Sequence, residues 1–201
     1  MKLLDVLFGR TKPVRSRAEG LFAVATAAVT LETQLRLKPT GRGGLAIRPV
    51  SASDFSATEA EMRRILDLSS KETGARVALA KDDYGYLWVV ARDDRFEDVV
   101  STVYAASLTI ADGGYLDQVL AAMFPFVDED GQEVAWIYNF KRARFYPFVP
   151  LKTGQRRDNA TELRLAAVME HELPIERDPA QWYALWDAPL AAADTSSEEV
   201  R

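Results

Sequence analysis

Residues 133–150 read EVAWIYNFKRARFYPFVP and predict an antiparallel β-hairpin. Apolar side chains alternate along the first half with the two-residue period of a strand. FYPFVP then runs back after a short basic turn. Pro147 has no backbone N–H to donate, so the second strand is expected at a sheet edge or at a bulge. The side chains predicted to share one face of the first strand are Val134, Trp136, Tyr138 and Phe140.

The turn of this hairpin carries three cations at an exposed tip. It is either a basic turn without further purpose or a surface for a partner, since most of the aromatics nearby are expected to pack the sheet. We predict partner contacts here at Lys141, Arg142, Arg144 and Tyr146, and further along the chain at Arg156 and Arg157.

The rest of the chain supplies more strands and several helices with recognisable caps. An S-x-x-E capping box begins at Ser56, and Asp94 precedes a second apolar helical period. Either Asp158 or Asn159 caps a third helical period. Asp178 followed by Pro179 predicts one more short helix. Besides that short helix, the predicted elements are a strand at 45–50, a helix from Ser56 to Leu68, a hairpin of 75–81 and 86–92, a helix from Asp94 to Gly113, a strand in the second half of 115–127 and a helix at 160–171.

Residues 26–37 allow two readings. Alternating apolar residues fit a strand, while the spacing of Ala27, Leu31 and Leu35 fits a helix capped by Thr26. We favour the helix, which makes residues 38–44 (KPTGRGG) a loop. These glycines lack the spacing of a nucleotide-binding loop.

Together these elements predict one α+β domain over residues 1–190, with helices packed on an antiparallel sheet. Residues 191–201 have no core-forming pattern and are predicted to be a disordered tail. Trp182, Leu185 and Trp186 share one side and are expected to anchor the preceding segment to the body.

Composition leaves little material for catalysis. The 201 residues include no cysteine and one histidine, His171, so thiolate zinc sites, disulfides and most catalytic triads are excluded. Asp82 and Asp83, and likewise residues 128–131, are typical of turns rather than of acid–base or calcium sites. We predict no catalytic residue, metal or cofactor. The alternative is a hydrolase or nucleotide-binding enzyme that uses carboxylates with Arg156 and Arg157.

The N-terminal quarter of the chain is basic, whereas the remainder is acidic. Residues 1–50 hold nine Lys or Arg against three Asp or Glu, while the whole chain has a net charge of −5. Residues 1–12 predict a short amphipathic segment that could lie on an anionic membrane surface or dock on a protein. The apolar face predicted to make this contact consists of Leu3, Leu4, Leu7 and Phe8.

The acidic net charge argues against wholesale nucleic-acid binding. No apolar run approaches the ~20 residues that span a bilayer. Asp5 interrupts the first apolar stretch, and no small-residue cleavage site follows it. We therefore expect a cytoplasmic protein.

Three separated stretches together resemble one known family. They are LLDVLFGRTKP at the start, LKPTGRGG near residue 40, and KRARFYPFVP followed by RRDNATEL. In this order and spacing they are similar to the family of phage-shock-protein-A-associated protein B, PspAB. The resemblance covers residues 1–189. Ala143 departs from the pattern, because a glycine is expected in that turn.

The resemblance implies a partner rather than a reaction. Such proteins accompany phage-shock protein A, a coiled-coil protein that coats stressed membranes, and the family implies no catalytic residues. We therefore expect a non-enzymatic accessory protein of the membrane-stress response that binds phage-shock protein A or its complex. Direct peripheral binding to the membrane is the alternative. The order of elements also resembles the secretion-chaperone-like fold, which would leave function open.

Overall fold

A seven-stranded sheet forms the middle of the protein, and every pair of neighbouring strands is antiparallel. The computed structural model describes residues 17–48, 60, 63–64 and 75–195. The strand order is β3-β4-β2-β5-β6-β7, and β1 pairs with β5 beside β2. The strands are β1 (Lys38–Pro39), β2 (Arg42–Ile47), β3 (Arg76–Lys81), β4 (Leu87–Arg92), β5 (Val119–Val127), β6 (Glu133–Asn139) and β7 (Arg144–Phe148).

Four α-helices whose two ends both lie among the described residues complete this single α+β domain. This confirms the predicted fold class. Three short 3-10 helices lie at Gly20–Phe22, Leu116–Gln118 and Pro179–Gln181, and the second of them leads from α2 into β5. The helices are α1 (Ala23–Leu35), α2 (Phe96–Asp112), α3 (Asn159–Met169) and α4 (Ala192–Thr195).

Both faces of the sheet are covered, by different parts of the chain. One face packs against α1 and α2, and it includes Val134, Trp136, Tyr138 and Phe140, as the alternation predicted. The opposite face, with Ala135 and Ile137, packs against the C-terminal segment through Trp182 and Leu190. Successive side chains of a strand point to opposite faces of the sheet. A strand that is buried on both faces therefore needs apolar residues at consecutive positions and not only at alternate ones.

The helix predicted within residues 26–37 is confirmed as α1, but its start was wrong. Residues 17–19 and Gly20–Phe22 are already helical, so Thr26 lies inside the helix and does not cap it. Asp94 is also not a cap, because Arg95 holds that position and Asp93 accepts the N–H of Arg95. Asp158 does cap α3, accepting the N–H of Thr161 at 3.0 Å.

Residues 38–44 are not the predicted loop. β1 occupies Lys38–Pro39, and β2 already starts at Arg42, three residues before the predicted strand. Gly43 and Gly44 lie in β2 because the space beside them is taken. A Cβ at Gly43 would lie 2.7 Å from Cγ1 of Val99, and one at Gly44 would lie 2.5 Å from Cδ2 of Leu190. The absent side chains let α2 and the C-terminal segment approach the strand from opposite faces.

Pro147 lies in β7, the last strand of the sheet, as its missing N–H predicted. The outer edge of β7 is covered by the segment that follows α3. Phe145 donates its N–H to the carbonyl of Pro174 and accepts the N–H of Glu176. This cover satisfies backbone groups that an edge strand would otherwise expose.

The C-terminal residues depart from the predicted tail. Residues 192–195 form α4, Ala193 is fully buried, and Asp194 forms ion pairs with two arginines. Residues 196–201 lie outside the described residues, as do the predicted contacts Leu3, Leu4, Leu7 and Phe8. Of the helix predicted from Ser56 to Leu68, only Ala60, Arg63 and Arg64 are described, and they are helical.

Candidate functional site

Two hairpin turns that are distant in sequence meet at one end of the sheet. The register of the intervening strands places the β3–β4 turn and the β6–β7 turn at this same end. A cavity of about 1000 Å³, here called the hairpin-end groove, lies there. Arg17, Arg48 and Lys141 also line it. Its aromatic lining consists of Tyr84, Tyr86, Trp88, Phe140, Tyr183 and Trp186.

Asp82 builds the turn that carries the tyrosines of the groove. Its carboxylate accepts the backbone N–H groups of Tyr84 and Tyr86 at 3.0 and 2.9 Å, and the indole N–H of Trp88 at 2.9 Å. Gly85 provides the positive φ of 82° that the turn requires. This carboxylate therefore has the turn role that the sequence predicted. The turn presents Tyr84 with 57% and Tyr86 with 36% of their surface exposed.

The β6–β7 turn places its three cations differently. Lys141 is exposed and lines the groove, and Arg144 is exposed at the start of β7. Arg142 forms an ion pair with Glu176, whose side chain is 8% exposed. Asn139 accepts the N–H of Arg142 at 3.2 Å and closes the turn. Of the three cations, Lys141 alone lines the groove.

Ala143 occupies the left-handed position of this turn, with φ of 51°. A side chain with a Cβ is disfavoured there, whereas glycine is not. Replacing Ala143 with glycine is expected to stabilise the protein by about 0.5–1 kcal/mol, after allowing for the greater entropy of the unfolded chain. Urea unfolding measures the change. The control is Lys141→Gly in the same turn, whose φ is not positive; a gain there and none at Ala143 would contradict the explanation.

Glu176 attaches the cover of β7 to the basic turn. Its side chain accepts hydrogen bonds from Arg142 and from the backbone N–H of Asp178, at 3.0 Å for the latter. The hydrogen bond from Arg142 is the main cause that lowers the pKa of Glu176 from its ordinary value of 4.5. The folded state therefore favours the ionised carboxylate.

This lowered pKa predicts an acid-dependent contribution to stability. It is fully present above pH 4.5 and is lost as the pH falls through the lower pKa of the folded state. Glu176→Gln should therefore lower the urea midpoint at neutral pH, and the two proteins should converge as the pH falls from 4.5 through the lower pKa of the folded state. Glu170→Gln, at a side chain with 57% exposure, is the control and should show no such convergence. A Glu176→Gln difference that stays constant with pH would contradict this role.

Tyr146, a predicted partner contact, is buried in the structure, with 1% of its surface exposed. Its hydroxyl donates to the carbonyl of Tyr183 at 2.9 Å, and its ring stacks on Trp182 with 6.4 Å between centroids. Burial is the main cause that raises its pKa above the ordinary value. Tyr146 thus holds the wall of the groove in place from beneath.

Arg156 and Arg157 do not converge on a common ligand. Arg157 Nε donates to both carboxylate oxygens of Glu162 at 2.8 Å, and Nη1 donates to the carbonyl of Trp182 at 2.6 Å. Arg156 is exposed and contacts Thr153. Neither guanidinium lines the hairpin-end groove. Arg157 therefore has a structural role. Arg156 and Arg157 do not form the polar pocket that the alternative of a hydrolase or nucleotide-binding enzyme requires.

Most residues of the groove were not predicted from the sequence. Tyr84 lies in a predicted turn and Tyr86 at the start of a predicted strand, whereas Tyr183 lies beside a predicted anchor, Trp182. Arg48 lies within the strand predicted at 45–50. The sequence did contain one signal of an exposed surface. Two tyrosines lie at one tight turn, and such a turn cannot bury both of their side chains. The two tyrosines of the turn lie near Lys141 and Tyr183 because of the order of the strands in the sheet. No local sequence pattern predicts that order.

The model of the family PspA associated protein B matches residues 1–190 of the chain. The chain belongs to the PspAB family. The match contains both turns of the hairpin-end groove and ends before α4. The family name associates PspAB proteins with PspA, the phage-shock protein, and it names no reaction.

No curated protein and no solved structure matches this PspAB chain. The resemblance to the secretion-chaperone-like fold therefore stays a prediction. Among the described residues, no helix is long and apolar enough to cross a membrane, and no cluster of three or more His, Cys, Asp or Glu side chains could hold a metal ion.

Proposed function

We propose that this protein is a non-enzymatic accessory protein of the phage-shock response that binds PspA through the hairpin-end groove at the cytoplasmic face of the membrane. Membership of the PspAB family supports association with PspA. The choice of the binding site depends on one observation. The hairpin-end groove combines exposed tyrosines with the cations Arg17, Arg48 and Lys141.

The composition of the groove suits a helical partner. An amphipathic helix binds by inserting its apolar anchors into an aromatic or aliphatic groove. The resemblance implies a coiled-coil partner, whose outer surface offers charged and apolar side chains along a helix. Tyr84 and Tyr183, both 57% exposed, are the proposed anchors, since exposed aromatics are enriched among residues that dominate binding energy. Lys141 at the rim would pair with a carboxylate of the partner.

The test is titration calorimetry of the full chain with purified PspA. Tyr84→Ala and Tyr183→Ala should each weaken binding about tenfold or more. Leu163→Ala is the matched control, because Leu163 is 53% exposed on α3 away from the groove. Lys141→Glu should weaken binding, whereas Lys38→Glu at the opposite end of the sheet should not. Failure of the wild-type chain to bind PspA would refute the proposal.

Flotation with vesicles separates this function from peripheral membrane binding. The wild-type chain alone should stay unbound to anionic vesicles and should float with them only when PspA is present. Flotation without PspA that is lost in Leu7→Glu and Phe8→Glu variants would assign the primary contact to the membrane instead.

A further inference from the structure

The two outer edges of the sheet differ in how they are covered. The edge at β7 carries Pro147 and is covered by the segment after α3, in which Ile175 bridges to Phe145. β3 forms the other edge, without a proline, a glycine or a break in its register with β4. Its charged residues, Arg76 and Lys81, stand at its two ends. Edge strands without such blocking features readily pair with another strand.

The backbone groups that β3 directs outwards can be identified from its hairpin. Asp82 donates its N–H to the carbonyl of Tyr86 at 3.1 Å, so Asp82 turns its backbone groups towards the partner strand. Hydrogen-bonded residues alternate along an antiparallel ladder. The residues whose N–H and C=O groups point outwards are therefore Val77, Leu79 and Lys81. The part of the chain that the structure describes forms no hydrogen bond with these outward groups.

The apolar layer on the α2 side of the sheet also stops at this edge. Val77 and Leu79 belong to that layer and are half-buried. Their cross-strand partners in β4, Ala91 and Val89, are fully buried. A further strand beside β3 would satisfy the outward backbone groups and would cover these two side chains at the same time.

We propose that a second copy of this chain supplies that strand, so that two β3 strands pair antiparallel about a two-fold axis at Leu79. Outward residues must pair with outward residues, and each such pair exchanges two N–H···O bonds. Leu79 then lies opposite Leu79 of the second copy, and Val77 lies opposite Lys81. The same register places Arg76 opposite Asp82, and opposite charges across a strand pair are favourable.

The charge pattern and the hydrogen-bond pattern of β3 favour the same self-pairing. A shift by one residue would put Arg76 opposite Lys81 and would bring outward groups against inward ones. A shift by two residues keeps the hydrogen bonds in phase but removes Asp82 from its place opposite Arg76. This agreement is specific to a second copy, because an unrelated extended peptide would not have to meet it. Such a contact is isologous and closes at two subunits.

The dimer would present two hairpin-end grooves. Because the strands pair antiparallel, the two grooves lie at opposite ends of the joined sheet. Formation of the dimer involves the outer edge of β3 and does not depend on PspA binding at either groove. Failure of PspA to bind would therefore leave this inference intact.

Analytical ultracentrifugation of the full chain over a wide concentration range tests the dimer. The wild type should show a monomer–dimer equilibrium. Lys81→Pro should weaken dimerisation at least tenfold, because proline lacks the outward N–H. Lys81→Ala is the matched control, since it removes the same exposed side chain but keeps that N–H, and it should dimerise like the wild type. Circular dichroism checks that each variant is folded.

A single introduced cysteine tests the register, because the chain has no cysteine of its own. Leu79→Cys lies on the proposed axis, where the two Cα atoms would be about 5.5 Å apart and within reach of a disulfide. Lys81→Cys is the control, because its two copies would lie roughly 13 Å apart along the strands. Under mild oxidation, Leu79→Cys should form the linked dimer at least tenfold faster, as measured by non-reducing electrophoresis.

Three results would overturn the proposal. They are a wild-type chain that stays monomeric throughout, equal cross-linking of the two cysteine variants, and equal dimerisation of folded Lys81→Pro and Lys81→Ala. If Lys81→Pro is unfolded, the cross-linking rates decide. A monomeric wild type that binds PspA, with that binding lost in Lys81→Pro but kept in Lys81→Ala, would overturn the dimer in favour of a partner's strand at this edge.

Discussion

Replacing Glu162 with alanine is expected to destabilise the fold by about 3 kcal/mol or more, because it leaves a recessed guanidinium without its counter-ion. Glu162 is 1% exposed and receives both bonds from Nε of Arg157, whose side chain is 18% exposed. Glu162 also accepts the backbone N–H of Val149 at 2.8 Å. Its removal therefore leaves a charge and a buried backbone donor unsatisfied at once.

The pair holds three parts of the chain together, which is why its loss is costly. Glu162 lies in α3, Arg157 precedes that helix, and the guanidinium donates to the carbonyl of Trp182 in the segment that covers the sheet. It also lies 5.4 Å from the ring centroid of Phe148. Loss of Glu162 should loosen the segment that carries Tyr183, so the proposed binding of PspA at the groove should weaken along with stability.

Urea unfolding of four proteins tests this role. Glu162→Ala should show the large loss, and Glu170→Ala, one residue past α3, should change stability by less than about 0.5 kcal/mol. The double variant Arg157→Met and Glu162→Leu should recover part of the loss, because apolar residues of similar size can replace a buried ion pair. Equal losses in Glu162→Ala and Glu170→Ala would show that the pair contributes nothing particular.

Replacing Gly43 with alanine is expected to cost about 2 kcal/mol, although alanine normally suits a strand better than glycine. The added Cβ would lie 2.7 Å from Cγ1 of Val99 and 3.0 Å from Cδ1 of Phe124. Val99 is β-branched on α2 and has one preferred rotamer there, so it cannot turn aside without moving the helix. The strain therefore passes to the packing of α2 on the sheet.

A double-mutant cycle isolates this contact. Val99→Ala alone should lose stability through a cavity, since Val99 is fully buried. In the combined variant the two losses should be clearly less than additive, because the smaller side chain makes room for the new Cβ. Additive losses, or a Gly43→Ala variant as stable as the wild type, would show that the glycine has another purpose.

Much of the fold could be predicted from local patterns. The alternation of apolar residues predicted which side chains share one face of β6. Two D-x-x-G sequences predicted the turns between strands. The pattern misjudged residues 38–44, because glycines that usually mark a loop lie here in a strand that other elements approach closely. Asp93 and Asp94 are equally plausible caps by type, and only backbone geometry distinguishes them.

The candidate site was harder to predict than the fold. Lys141 was identified as an exposed cation, and the structure places it on the groove. The burial of Tyr146 was not foreseen, because an aromatic beside a basic turn can lie on either face of a strand that is buried on both sides. Arg157 was singled out for its charge, and its true role depends on Glu162 and on a carbonyl 25 residues away in sequence.

By itself, the sequence determined the kind of elements, their turns, the lack of thiol chemistry and the family to which the chain belongs. Tertiary structure alone decided that two hairpin turns share one end of the sheet and that Arg42, Arg76 and Arg92 are neighbours at the other. The reason is physical. Strand period and turn chemistry depend on residues a few positions apart, whereas strand order and register depend on contacts between segments that are far apart in the chain.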